Sequence, residues 1–167
     1  MHNELTQKDI ELMRQELEYR RCVLRPKLIE DVQTARAFGD LSENFEYKAA
    51  KRDKNRNDSR CRYLENMIKT AVVISGESAE GVVGLYDKVT FLVEEDGDTV
   101  TCQIVTTMRQ DALKNLISKE SPVGKAVLGR RVGDRATVQV SDTYSYDIVI
   151  QAIEPGEDTG EAPLVRF

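Results

Sequence analysis

Apolar residues recur at Ile10, Met13, Leu17, Leu24, Leu28, Val32 and Ala35, spacings that lay them along one stripe of a helix. Thr6 and Asp9 supply a start signal, Thr6 as N-cap and Asp9 beside the free amides of the first turn. The stripe breaks at Arg20 and Arg21, and Pro26 removes a hydrogen bond and predicts a bend. The pattern predicts a helix over about residues 8–37, roughly 45 Å long at about 1.5 Å per residue. Gly39 then ends it by taking a left-handed conformation. A second series, Tyr47, Ala50, Lys54, Asn57, Cys61, Leu64 and Ile68, alternates steps of three and four, the heptad of a coiled coil. Its polar members, Lys54 and Asn57, weaken the middle of the seam. Two long helices joined by a short turn pair antiparallel. Residues 1–75 therefore read as a helical hairpin with its tip at Gly39.

Past Ser75-Gly76-Glu77-Ser78-Ala79-Glu80, which reads as a linker, the period shortens. Val89, Phe91 and Val93 alternate with polar residues, Asp96-Gly97 follows, and Val100, Cys102 and Ile104 alternate again, which is a β-hairpin signal. A short helix is predicted over Ala112–Ile117, and another begins at Ser121-Pro122 and ends at Gly129. Two more strands are predicted, Ala136–Val140 and Tyr146–Ile153. Residues 81–153 thus form a domain with an antiparallel sheet, and the whole chain is of the α+β class. The acidic tail, 154–167, is expected to fray.

Composition narrows the function. No apolar run approaches the length of a membrane span, so a soluble, cytoplasmic protein is expected. Cys22, Cys61 and Cys102 are odd in number and widely spaced, which suits structural thiols better than a disulfide framework. His2 is the only histidine, so neither a zinc site nor a nucleophilic triad is expected. The net charge of −5 is uneven: residues 1–71 carry +2 and residues 72–167 carry −7. The first part can approach a polyanion, and the second repels one.

Three stretches could carry chemistry. Asp40 and Glu43 have the spacing of a helix cap, with Asp40 as N-cap. At a hairpin tip the same carboxylates could hold Mg²⁺, although two are too few for a complete site. Lys48, Arg52, Arg56 and Arg60 form a basic stripe away from the heptad seam, which is either a solvated face or a phosphate-binding one. Ser121-Pro122-Val123-Gly124-Lys125 lacks the spacing of a nucleotide loop and reads as a rigid turn before a short helix, suited to packing or partner contact.

Ala35-Arg36, Gly39-Asp40-Leu41-Ser42-Glu43-Asn44, Glu46-Tyr47 and Ala49-Ala50-Lys51 resemble the Gre family of bacterial transcript-cleavage factors. So do Ile117-Ser118, Ser121-Pro122-Val123-Gly124-Lys125-Ala126, Leu128-Gly129 and Val132-Gly133-Asp134. The resemblance covers about residues 5–153. It implies a coiled-coil hairpin and an FKBP-like C-terminal domain that docks on bacterial RNA polymerase through the Ser121-Pro122 side. It also implies that the hairpin enters the secondary channel. There Asp40 and Glu43 would help hold a Mg²⁺ shared with the polymerase, and the basic stripe would meet the 3′ end of the nascent RNA. The chain would be a monomeric accessory factor, with the polymerase hydrolysing backtracked RNA. Four departures stand out: Asp9 in place of a glycine, Phe45 where a small residue is usual, Tyr144 and Tyr146 in place of a glycine-containing turn, and the acidic tail. Three rivals remain: a channel-binding inhibitor of the same fold, a prolyl isomerase with a helical arm, which would need an aromatic-lined apolar pocket, and a plain coiled-coil adaptor, which would leave the charges at the tip without a purpose.

Overall fold

The computed structural model describes residues 3–39 and 44–166. The chain divides into two compact units, Ile10–Ala71 and Met1–Asp9 with Val72–Phe167. The first residues therefore belong with the C-terminal part and not with a unit running 1–75. The cause is a two-residue strand, β1 (Glu4–Leu5), which pairs parallel with β2 (Val72–Val73). Val72 N–H donates to the Asn3 carbonyl at 2.9 Å, and Ile74 N–H to that of Leu5 at 2.9 Å.

The helical unit continues α1 (Gln7–Tyr19) through one wide π turn (Arg20–Leu24) into α2 (Arg25–Arg36), and α3 (Phe45–Thr70) returns. Cross-helix partners run Glu16 with Arg60, Arg25 with Asp58, and Ala35 with Asn44, so the pairing is antiparallel. Ile10, Met13, Ala35, Cys61 and Leu64 are buried, as the two stripes require, but the second stripe closes on Met67, which is buried, and not on Ile68, which is half-buried. The π turn explains the break at Arg20. Pro26 has no N–H and needs room near the preceding carbonyls, and the wider turn just ahead of it provides that room. Arg25 N–H then bonds to the Arg20 carbonyl, five residues back. The same carbonyl accepts Asn57 Nδ2 at 3.2 Å, while Arg20 Nη1 donates to Asn57 Oδ1 at 3.0 Å. Two polar interruptions, one in each stripe, are thus each other's partners.

The second unit is built on a five-stranded sheet. Its strands are β3 (Lys88–Val93), β4 (Thr99–Val105), β5 (Leu116–Ser118), β6 (Arg135–Gln139) and β7 (Ser145–Glu154), in the order β5-β4-β3-β7-β6. The β3–β4 hairpin has the expected register, Val89 opposite Cys102 and Phe91 opposite Val100, with Gly97 at φ +76° in its turn. The sheet is mixed rather than wholly antiparallel, because β5 lies parallel to β4. Here the predicted helix over Ala112–Ile117 gives way. Only Ala112–Lys114 form a 3₁₀ turn, Asn115 adopts φ +56°, and the chain leaves as β5. The short helix α4 (Pro122–Val127) packs its Ala126 and Val127 into the core with Val89, Phe91, Ile104, Val138, Ile148 and Ile150.

The described part of the tail, residues 154–166, is held by side-chain and backbone bonds instead of fraying. Asp9 and Thr6 form the reciprocal cap that starts α1: Thr6 N–H donates to Asp9 Oδ2 at 2.9 Å, and Asp9 N–H to Thr6 Oγ1 at 3.2 Å. Asp9 Oδ1 also accepts from Arg109 Nη1 at 3.2 Å, and both side chains are wholly buried. Arg109 further makes a two-pronged pair with Asp158, at 3.0 Å for each bond, and its Nε donates to the Ala162 carbonyl. Its guanidinium carbon lies 5.7 Å from the centre of the Tyr86 ring. Gly156 N–H donates to Asp87 Oδ1 at 3.0 Å and Val165 N–H to the Met108 carbonyl at 2.7 Å, so the tail is tied at four places. Buried cations and anions are tolerated only when paired in this way.

Candidate nucleic-acid interface

Asp40 and Glu43 lie outside the described residues. The cap of the helix that follows them does not. Asn44 Oδ1 accepts Tyr47 N–H at 3.0 Å, and Asn44 Nδ2 donates to the Ala35 carbonyl at 2.7 Å. The capping role that the spacing offered to Asp40 therefore belongs to Asn44, which also ties the start of α3 to the end of α2.

From that cap Phe45, Lys48, Arg52 and Arg56 advance along α3 in steps of three or four, and all four are exposed. Lys48, Lys51, Arg52, Asn55, Arg56 and Ser59 line one shallow groove. Among the described residues Lys48, Lys51, Arg52 and Arg56 make no ion pair. Asp58, which could have neutralised the stripe, instead bonds Lys54 at 3.0 Å and pairs with Arg25 at 3.4 Å. Four cations within three turns, facing only Glu46 and Asp53 and ion-paired to neither, repel one another until an anion arrives. Lys51 and Asn55 were not among the residues singled out for this face. Lys51 stood in the same basic run, whereas nothing in the spacing marked Asn55.

Arg60 does not belong to the stripe. It is buried, its Nε and Nη2 donate to Glu16 at 2.9 and 3.2 Å, and its guanidinium lies 5.4 Å from the Tyr63 ring. Arg20 Nε adds a third bond to Glu16 at 2.8 Å. Burial alone would raise the Glu16 pKa, but the hydrogen bonds from Arg60 and Arg20 outweigh it and hold the carboxyl below its ordinary value.

The Ser121-Pro122 turn is rigid by construction. Ser121 Oγ accepts Gly124 N–H at 3.0 Å and donates to the Ser118 carbonyl at 2.7 Å, with Pro122 in the first helical turn. A Cβ on Gly124 would overlap the Ser118 carbonyl oxygen and sit 2.9 Å from Lys119 Cα, so only glycine closes this turn. Pro122 and Lys125 are left exposed on it.

Other chemistries find less support. Among the described residues no group of three or more His, Cys, Asp or Glu side chains could hold a metal ion. Cys61 and Cys102 are buried, and burial pushes the Cys102 thiol up to about 11, the opposite of an activated thiolate. A hollow of the sheet unit lined by Thr6, Lys8, Ser75, Glu77, Asp87 and Glu157 among others has Tyr86 as its one aromatic, and that ring is 4% exposed. This is no surface for a prolyl ring.

Comparison with known proteins agrees with the two-part organisation. Residues 3–73 match the family described as "Transcription elongation factor, N-terminal", and residues 78–155 match "Transcription elongation factor, GreA/GreB, C-term". The transcription elongation factor GreA of Geobacillus kaustophilus is 45% identical over 136 residues, spanning 81% of this chain and 86% of that protein. GreA of Bacillus subtilis is 42% identical over 127 residues, 76% of this chain and 81% of that one. Among solved structures, the GreA factor homolog 1 (Gfh1) of Thermus thermophilus is 28% identical and aligns over 91% of this chain and 98% of its own, with a TM-score of 0.41. No described helix is long and apolar enough to cross a membrane. By its sequence over both parts, the chain belongs to the GreA/GreB family of transcription elongation factors.

Proposed function

We propose that this elongation factor binds bacterial RNA polymerase in the cytoplasm, enters its secondary channel with the tip of the helical hairpin, and stimulates the polymerase's own cleavage of backtracked RNA. The observation that carries the reading is the exposed face of Lys48, Lys51, Arg52 and Arg56, which makes no ion pair among the described residues and begins five residues after Glu43 in the chain. A phosphate backbone is the natural complement of such a face. Asn44 already caps α3, which leaves Asp40 and Glu43 available for another role. Their hard carboxylate oxygens suit Mg²⁺, and two of them fit a shared site better than a private one. Bound there together with polymerase groups, Mg²⁺ would supply activation of water and neutralisation of phosphate charge. Asp40 and Glu43 would hold and orient that shared site, Lys48, Arg52 and Arg56 would keep the extruded strand in line, and the rigid Ser121-Pro122 turn would dock on the polymerase. The factor works as a monomer and completes an active site that belongs to its partner.

The test is RNA cleavage in stalled, backtracked polymerase complexes. The parent should shorten the RNA from its 3′ end in a Mg²⁺-dependent way. Asp40→Asn and Glu43→Gln should abolish the stimulation while leaving polymerase binding intact. Variants that cleave like the parent would overturn the assignment of the acids. A parent that binds polymerase yet never shortens the RNA would favour the inhibitor reading.

A further inference from the structure

We infer that Phe45 is a stacking platform for a nucleobase of the RNA strand that the basic face holds, an inference that rests on the function proposed above. Phe45 is 80% exposed, and Phe38, on the other side of Asp40–Glu43 in the chain, is 73% exposed. An aromatic ring at the first position of a helix adds nothing that alanine would not supply more cheaply, since aromatic residues are poorer helix formers. The ring also buries little apolar surface within its own protein, so its contribution to folding is small. The group beside it is a cation: Lys48 Nζ lies 5.8 Å from the ring centre. Phe45 heads the series that continues with Lys48, Arg52 and Arg56 on one face of α3. An aromatic face followed by a row of cations is how proteins hold a single strand without reading its sequence, with the base on the ring and the phosphates on the charges. Charge complementarity selects RNA over a protein wall as the occupant, because the four cations that line the groove beyond the ring, Lys48, Lys51, Arg52 and Arg56, outnumber the acids nearest them on the helix, Glu46 and Asp53.

Two measurements on the full-length chain test this. The protein has no tryptophan, so Phe45→Trp creates a single reporter. Titration with a short single-stranded RNA should quench its emission saturably. The midpoint should rise with salt and with Arg52→Ala/Arg56→Ala. The control is Val132→Trp, at a position 59% exposed on the sheet unit, whose emission should stay unquenched. No quenching in Phe45→Trp, or equal quenching in both variants, would overturn the inference. The second measurement compares Phe45→Tyr and Phe45→Leu in stalled, backtracked complexes. Tyrosine should preserve cleavage. Leucine keeps apolar bulk but has no π face, and should slow cleavage about tenfold, as loss of one base–aromatic stack implies. The loss should be larger when the extruded base is a purine. If leucine works as well as phenylalanine while alanine does not, the ring packs on the polymerase and the inference is wrong. Should the parent itself fail to cleave, the proposed function fails, and the quenching experiment still decides whether the ring stacks on a base.

Discussion

Replacing Arg109 by methionine removes the charge that holds three segments together while keeping most of the side-chain volume. Arg109 and Asp9 are both unexposed, and Asp158 is 14% exposed. The substitution leaves Asp9 buried with only the Thr6 cap beside it and leaves the Asp158 carboxylate without its two bonds from the guanidinium. Stranding one member of a buried ion pair costs about 3–5 kcal/mol. With a urea m-value of about 2 kcal/mol/M for a unit of this size, the midpoint should fall by roughly 1.5–2.5 M. Urea unfolding followed by the near-ultraviolet tyrosine signal measures it, since Tyr86 lies against the guanidinium. The double variant Asp9→Leu/Arg109→Met should recover much of the loss, because exchanging a buried pair for apolar residues is often neutral. A loss below about 1 kcal/mol in the single variant, or no recovery in the double, would refute the claim that this cluster is a desolvated charge network.

Asn44→Ala should cost about 0.5–2 kcal/mol and fray the first turn of α3, seen by hydrogen exchange, whereas Asp40→Asn and Glu43→Gln should leave that turn protected. Gly124→Ala should lower the thermal midpoint of the sheet unit by several degrees, since its Cβ would collide with the Ser118 carbonyl; calorimetry decides. For Glu16 the folded pKa lies below the unfolded value of about 4.5, so its ion pair contributes fully above that pH, and the contribution is lost as pH falls through the depressed folded value. Helical circular dichroism followed during thermal melts from about pH 7 to about pH 3 should therefore show a steeper acid loss in the parent than in Glu16→Gln.

Much of the helical unit was legible because a heptad repeats locally: Asn57, Cys61 and Leu64 announce their shared face by spacing alone. Arg60 misled for the same geometric reason. Each step of four residues overshoots a full turn by about 40°, so from Lys48 to Arg60 the stripe has rotated by about 120° and reaches the seam. The β3–β4 hairpin was legible from alternation around Asp96-Gly97. Strand β1 was not, because two residues carry no period. The Arg109 cluster was invisible for a different reason: its acids lie 100 and 49 positions away, and no local pattern encodes such a meeting. For the candidate interface, the sequence marked the cations, but not that Asp58 would be taken by Lys54 and Arg25, which removes one of the two acids that could have relieved the stripe.

The cluster around Arg109 also sets an order of events when the chain is made. Strand β1 emerges before the hairpin, yet its partner Val72–Val73 comes only after the entire hairpin. Asp9 must wait for Arg109, 100 residues on, and Arg109 for Asp158, 49 residues further. The helical unit, rich in local contacts, can form early and quickly, while the sheet unit stays open at its beginning until its end arrives. A nascent chain in which Asp158 has not yet emerged would have its hairpin already built while Arg109 still lacks one of its two carboxylate partners.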